Sequence, residues 1–553
     1  MLQAVLSQRF PSSRIEVVNA AMVAINSHVI LPIAKDCATR QGDLWVVYMG
    51  NNEMIGPFGS VTVLGAQAPP LWRIRAVLGL KTARILQVAD LAWQRLNRPD
   101  PARSDWGGMT MWWGQGVAQD DPKTARVYAN FRRNLAEILQ AAREAGVPVL
   151  LCTVATNTKD CAPFASLHRK GLSPGQLTDW EANFHRGKSL QAEGRPQEAA
   201  AAYAEAAKID SEYAELTFRQ AQCLLAANRV EEAKELFRRA RDADALQFRA
   251  DTRINEIIRE LAAAESGRGV ELLDAERLLA EASPQGLPGR EFFYEHVHLT
   301  PEGNYQLTRD IAERAEKTLV TKLKSVGTPR PWLAMSDCFK YIGLVDWNRH
   351  ETLIDLLKRV QQPPFLEQVN HSNQVQHLQE QEARYRPASK STQVARAAQQ
   401  VVELAKARPD EPDLIWNVAQ LLGVAGDFAA SERYWRATIQ LRPNSDLPRY
   451  NLAKLLEIRS DGRTNEIEQL YQQTIELAPR NHDAHFSLGC FLLQQGRAKE
   501  SIPHLRVALQ IRPGLAETHH RLGLALKEVG QASKAEEQFR LARKLDPGLS
   551  TPP

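Results

Sequence analysis

Two short stretches of this chain hold residue types suited to hydrolytic chemistry at a suggestive spacing: Gly50-Asn51-Asn52-Glu53 and Glu295-His296-Val297-His298. A histidine can carry a proton to and from a reacting group, a nearby carboxylate can hold its tautomer, and an amide can donate to an oxygen on which charge develops. The nucleophile such a set would serve has no counterpart in the sequence. Each residue also has a plainer reading: asparagine often ends a strand in a turn, and an isolated histidine is more often structural than catalytic. A metal site at Glu295, His296 and His298 is the weaker expectation, because no further well-spaced ligand set is visible, and no metal and no cofactor is expected.

The elements that would position these residues are legible as alternating runs. Four short β-branched or apolar stretches, Ile15 to Asn19, Leu44 to Met49, Pro148 to Val154 and Val270 to Leu273, alternate with helical patterns over Ser27 to Thr39, Val127 to Ala145 and Ala250 to Ala264. Such alternation predicts βαβ units and a parallel sheet covered on both faces. Thr300-Pro301-Glu302-Gly303 opens a further helix running to about Ser325, with Thr300 as N-cap and Pro301 at the first helical position. Ligands of open parallel sheets bind beyond the carboxyl ends of the strands. Gly50 to Glu53 follows the second run and Glu295 to His298 follows the fourth, so both motifs are expected at the same edge.

Here a family resemblance enters. Leu44 to Glu53 is similar to the third block of the SGNH (GDSL-like) esterases and lipases, with Asn52 on the block's asparagine. Glu295 to Gly303 resembles the fifth block, with His298 at the catalytic base and Glu295 at the aspartate position. Val17 to Met22 resembles the second block, with Ala21 where a glycine amide joins the oxyanion hole. The resemblance covers about residues 1 to 177 and 246 to 325. It implies a three-layer, flavodoxin-like α/β sheet and cleavage of a small ester or acylated substrate through a serine acyl-enzyme. His298 would be the base, Glu295 its orienter and Asn52 an oxyanion donor of the kind whose removal costs about 3 to 4 kcal/mol. The serine block and the sheet's first strand are missing: Met1 to Phe10 reads as a helix followed by a turn at Pro11, and Ser7, Ser12 and Ser13 lack a nucleophile's context. The expected strand order, 2-1-3-4-5, puts the missing strand between Ile15 to Asn19 and Leu44 to Met49. The chain as given is therefore expected to be inactive or nearly so, and the expected alternative is a non-enzymatic adaptor on a retired hydrolase scaffold.

The C-terminal third repeats itself. Pro409, Pro443, Pro479, Pro513 and Pro547 close helices at offsets of 34, 36, 34 and 34. Small residues at Gly423, Gly489 and Gly523 are followed by turn residues at Gly426, Gly462, Gly496 and Gly530, then by inward pairs Ala430 with Tyr434, Ser501 with Leu505, and Ala535 with Phe539. This resembles tetratricopeptide repeats, over about residues 393 to 548, and implies an α-helical solenoid whose groove takes a protein or peptide. Asn417, Asn451, His485 and His519, one in the first helix of each unit, are the expected exposed groove contacts. Trp180, Gly187, Gly194 and Ala199 recur 34 residues later as Ala214, Ala221, Asn228 and Ala233, so a second helix-turn-helix pair is expected inside the α/β domain.

The expected organisation is thus a hydrolase-like domain over 1 to 177 and 246 to 325, an insertion over 178 to 245, a helical connector over 326 to 392 and a repeat array over 393 to 553. Composition adds exclusions. With 69 basic against 65 acidic residues and a net charge of +4 over 553 residues, no electrostatic case exists for nucleic acid. No run is apolar and long enough to span a membrane; a segment further upstream could carry an anchor or export signal, so no compartment is assigned. The six cysteines lack metal-ligand spacing. Asp160 and Cys161 are expected either to line the pocket or to form its loop, and Trp106, Trp112 and Trp113 to pack as an apolar cover.

Overall fold

A computed structural model describes residues 1–63, 65–82, 108–112, 114–323, 329–387 and 390–549. The chain divides into two compact units. The first holds residues 1–80, 109–342 and 349–384; the second holds 343–348 and 385–553.

In the first unit, three strands form one parallel sheet: β1 (Trp45–Tyr48), β2 (Val149–Cys152) and β3 (Val270–Leu273), in the order β1-β2-β3. Register is continuous, with Val47 opposite Leu151 and Leu151 opposite Leu272. The central strand is an uninterrupted buried apolar run, Val-Leu-Leu-Cys, as a strand covered on both faces must be. On one face, Val149 and Leu151 pack with Leu31, Phe131, Leu135, Ile254 and Ile258 from helices Ser27–Cys37, Pro122–Glu144 and Thr252–Ala264. On the other, Leu150, Cys152 and Leu273 meet Leu279, Leu307 and Ile311 of helices Ala275–Ala282 and Pro301–Thr318. Helix Leu2–Arg9 lies on Pro301–Thr318, where Val5 and Leu6 join Tyr305 and Ala312, and Arg9 pairs with Glu316 at 2.7 Å.

One strand reading needs correction: Ile15 to Asn19 is irregular and pairs with no strand. The residues there are β-branched, but a strand needs a neighbour's amides and carbonyls, and β1 pairs only with β2. Val17, Val18, Met22 and Val23 are accordingly solvent-exposed. The helix leading to β2 begins earlier than its apolar period suggested, at Pro122, because Asp121 caps it by accepting from the Lys123 amide at 2.8 Å.

Between β2 and β3 the chain leaves the sheet to form four helices, Pro174–Ala192, Pro196–Ile209, Ala214–Ala226 and Val230–Asp242. They pack as two antiparallel pairs around Trp180, Phe184, Tyr203, Phe218 and Phe237. Gly187 is required by close approach: a Cβ there would lie 2.5 Å from the Tyr203 ring. The first pair opens on a capping box in which Ser173 Oγ accepts from the Gln176 amide and the Gln176 side chain accepts from the Ser173 amide.

The second unit stacks helix Lys390–Ala407 and four further pairs, Pro412–Ala425 with Phe428–Leu441, Leu447–Arg459 with Thr464–Leu477, His482–Gln494 with Ala498–Ile511, and Ala516–Glu528 with Ala532–Leu545. Gly489 packs on Leu505 and Gly523 on Phe539, as expected. The first pair departs from that register: the buried aromatic is Trp435 rather than Tyr434, and Ser431, not Ala430, donates to the Ala419 carbonyl at 2.7 Å, as Ser501 does to Gly489. The equivalent inward residues are then Trp435, Tyr471, Leu505 and Phe539, with offsets of 36, 34 and 34. The extra two residues fall in the turn Ser460 to Arg463, which is longer than the Gly426-Asp427 turn of the preceding pair.

Close packing makes a direct prediction. A Cβ at Gly523 would sit 2.5 Å from the Phe539 ring, so Gly523→Val should destabilise the array by about 1–3 kcal/mol through overpacking. Gly175, a helical glycine with nothing within 4 Å, should instead gain about 0.4–1 kcal/mol as alanine. Thermal melts of the two variants should therefore move in opposite directions.

Candidate functional site

The segment after β3 and helix Ala275–Ala282 folds back on itself before entering helix Pro301–Thr318. The Tyr294 amide donates to the His298 carbonyl at 2.9 Å, the Thr300 amide to the Phe292 carbonyl at 2.9 Å, and Thr300 Oγ1 caps the helix by accepting from Gly303 at 3.1 Å. Gly303 has no room for a side chain, since a Cβ would meet the Phe292 carbonyl oxygen at 2.3 Å. This turn brings the Nδ1 atoms of His296 and His298 to opposite oxygens of one carboxylate, that of Glu295.

Glu295 is fully buried, whereas the His298 side chain keeps 57% of its surface exposed. His298 Nδ1 hydrogen-bonds Glu295 Oε1. His296 Nδ1 lies 2.5 Å from Oε2 without the alignment of a hydrogen bond, and Oε2 accepts from the Val297 amide at 3.1 Å. Behind them, Asn157 anchors the turn twice, donating from Nδ2 to the Glu295 carbonyl at 2.7 Å and from its amide to the His296 carbonyl at 2.9 Å. The rings of Phe164, Phe248 and Phe365 stand edge-on to His296 at 5.4, 6.0 and 5.7 Å.

Electrostatics separates the two imidazoles. Burial would push the Glu295 carboxyl up, but the facing histidines hold it well below the usual carboxylate range. The hydrogen bond to Glu295 raises His298, while burial lowers His296. The arrangement therefore presents an accessible imidazole, oriented through Nδ1 by a buried carboxylate, with a second, buried imidazole behind it.

The other expected site residues make hydrogen bonds of their own. Asn52 follows β1 but donates its side-chain amide to the Ile25 carbonyl at 3.1 Å, and the Ala21 amide, on an exposed stretch, donates to Asn19 Oδ1 at 3.0 Å. Among the described residues no hydrogen bond joins either one to Glu295 or His298. Asp160 and Cys161 form the loop: Asp160 Oδ2 accepts from the Arg290 amide at 2.9 Å, and Cys161 is buried with Sγ 3.4 Å from Gln368 Nε2. Trp112 is buried edge-on to Phe248 at 5.8 Å; Trp106 and Trp113 lie outside the described residues.

The repeat-array residues were expected to be exposed, and none of the four is, Asn451 included, which is half-buried. His485 and His519 are buried, each with Nε2 on a proline carbonyl, Pro479 at 3.2 Å and Pro513 at 2.7 Å, and with Nδ1 on His504 or Gln538. Both stand three residues before a Leu-Gly pair, the tryptophan position of the repeat pattern, which fills the space between helices. That spacing was the signal available in the sequence. Asn417 is half-buried and donates to the Gly343 carbonyl at 2.6 Å, and Asn451 donates to Leu447, four residues back in its own helix, at 2.9 Å. The longer second unit puts Asn417 and Asn451 two positions out of step with His485 and His519.

A polar cluster that sequence reasoning missed lies beside β1. Glu53, fully buried, accepts from the Ser27 amide at 2.7 Å and from Ser27 Oγ at 2.8 Å. Asn134 Nδ2 reaches Ser27 Oγ at 2.9 Å and His28 Nδ1 at 3.0 Å, and Arg75 donates to Asn134 Oδ1 at 2.9 Å and to Glu137 at 2.8 Å.

With the helix pairs in view, the family comparison gives their class. Family models for the tetratricopeptide repeat match residues 190–251 and 468–516. The chain carries tetratricopeptide repeats. Solved structures similar to these repeats include a MamA crystal structure (18% identity, 28% of this chain and 89% of that one, TM-score 0.27). MamA from Desulfovibrio magneticus RS-1 matches at 15% identity over 37% of this chain and 98% of that one, TM-score 0.27. YrrB, described as a TPR protein with an unusual peptide-binding site, matches at 14% identity over 36% of this chain and 94% of that one, TM-score 0.26. No curated protein sequence matches significantly. Among the described residues no helix is long and apolar enough to cross a membrane.

Proposed function

We propose that this chain is a protein-binding scaffold, in which tetratricopeptide helix pairs of the second unit receive an extended polypeptide and the α/β domain carries a further pair set. The observation that supports it is the uninterrupted stack from Pro412 to Leu545, in which each pair buries its neighbour's apolar face and the first helices of successive pairs recur in one register. Repeats of this kind build a continuous surface rather than a closed pocket, which suits an extended ligand. The test is selection of displayed unstructured peptides on the full chain, followed by photo-crosslinking. Enriched peptides should crosslink to helices Pro412–Ala425, Leu447–Arg459, His482–Gln494 and Ala516–Glu528. Absence of any enriched peptide, or crosslinks confined to the first unit, overturns the reading.

A second reading rests on the Glu295–His298 contact. An exposed imidazole oriented by a buried carboxylate would serve as the base half of an SGNH-type ester hydrolase, for which Asn52, through its second amide hydrogen, would supply an oxyanion donor to a small ester or acylated substrate, joined by the Ala21 amide once it lets go of Asn19. With no serine of this chain assigned as nucleophile, turnover is expected to be very slow. Hydrolysis of an activated short-chain aryl ester above the buffer rate should fall at least tenfold in His298→Ala; equal rates remove this reading.

A further inference from the structure

The Glu295 turn holds a donor set that neither peptide binding nor ester hydrolysis uses as a whole. One carboxylate oxygen of Glu295 and one ring nitrogen each of His296 and His298 all lie within 4.8 Å of one another, and among the described residues no other three such side chains converge in this way. We infer that Glu295, His296 and His298 bind a divalent transition-metal cation of the zinc class. Three features of the turn carry this.

The donors are of the right kind and aim inward. Two imidazoles and a carboxylate with one position left for water is a recurrent zinc set, with metal–nitrogen and metal–oxygen distances near 2.0–2.2 Å. Donors bound at those lengths stand roughly 3.3 Å apart in a tetrahedral site, so separations within 4.8 Å close by small rotations about the side-chain bonds. Imidazole donors favour zinc, nickel or copper over magnesium or calcium.

His296 is the second feature. Its side chain is only 6% exposed, and its Nδ1 faces Glu295 at 2.5 Å without a hydrogen bond of proper alignment. A metal would supply the directional partner that this buried nitrogen lacks.

The third is the support behind the ligands. Asn157 grips the carbonyls of residues 295 and 296, the Val297 amide holds Oε2, and three phenylalanine edges fix the His296 ring. Outer contacts of this sort orient ligands before the ion arrives. The exposed flank of His298 leaves both an entry path and the open position. Metal on Nδ1 of His298 displaces the proton it shares with Glu295, so an ion and the base arrangement are alternative occupants of one face.

The experiment titrates the chelator-treated full chain with cobalt(II), followed by displacement with zinc(II). The expected result is one equivalent per chain, visible d–d absorption of low-coordinate cobalt and its loss on zinc addition. His298→Ala and Glu295→Gln should each weaken binding at least tenfold, whereas His185→Ala, on an exposed face of helix Pro174–Ala192, should not. If Glu295→Gln fails to fold, His298→Ala decides alone, because its largely exposed ring can be removed without opening the core. Absence of stoichiometric uptake, or undiminished affinity in His298→Ala, overturns the proposal.

Discussion

Asp244→Ala is expected to destabilise the first unit by about 3–5 kcal/mol, the range for breaking a buried ion pair by removing one partner. Asp244 and Arg249 have side chains 1% and 2% exposed and face each other at 3.3 Å. The carboxylate also accepts from the amides of Phe164 at 3.0 Å, Ala165 at 3.1 Å and Leu246 at 3.1 Å, while the guanidinium donates to the carbonyls of Asn157 at 2.9 Å and Cys161 at 2.8 Å. These bonds weld the end of the inserted helices to the loop after β2. Deleting the carboxylate strands a buried cation and three amides at once, whereas Asp244→Asn keeps an acceptor and should cost less. Because Asn157 also holds the Glu295 turn, faster hydrogen exchange in Asp244→Ala should spread from residues 157–165 to 293–300. Urea unfolding of the two variants together with exchange mapping checks both parts; a loss below about 1 kcal/mol in Asp244→Ala would show that the pair is not what joins the insertion to the sheet.

What the sequence could show depended on range. The strands Leu44 to Met49, Pro148 to Val154 and Val270 to Leu273 were legible because each is a short apolar run between helical periods, and the sheet contains all three. Ile15 to Asn19 has the same composition, but pairing is a property of two segments, and composition reports only one. In the repeats, the proline spacing located every helix pair, yet stepping by 34 from Asn417 crossed a unit of 36 and landed on residues of different environment. His485 and His519 illustrate the other limit: polar residues in a first helix read as ligand contacts until the Leu-Gly pair beside them places them inside. The Glu295–His298 contact was legible through the resemblance to an Asp-x-x-His block, which pairs residues three apart. His296's share in the same carboxylate and the anchoring by Asn157 depend on the backbone reversal at 294–298, which no local spacing announces. Glu53 was read as a neighbour of Asn52 and proves to be the buried partner of Ser27, 26 residues away.

That buried cluster yields the second large expectation, a pH dependence that appears only when one member is removed. Burial pushes the Glu53 carboxyl up to about 7 from 4.5, and burial with the nearby Arg75 charge lowers His28 from 6.5 to about 4. For Glu53, whose folded value is raised, stability is lost as pH climbs from 4.5 through about 7. For His28, whose folded value is depressed, stability is lost as pH falls from 6.5 through about 4. Near pH 5.5, roughly midway, the folded cluster holds its proton on Glu53 and the unfolded chain holds it on His28, so folding takes up no net proton and the two slopes cancel. Glu53→Gln removes one slope and leaves the other. Relative to wild type, the variant should therefore gain about 3 kcal/mol in local stability between pH 4 and pH 7, because each tenfold change in proton affinity on folding carries about 1.4 kcal/mol. Hydrogen-exchange protection of helix Pro122–Glu144, which carries Asn134 into the cluster, reads this directly when both proteins are followed across the pH series. A constant difference between the two would mean that Glu53 is ionised in the folded protein throughout, with the Ser27 amide and hydroxyl sufficient to hold a buried carboxylate.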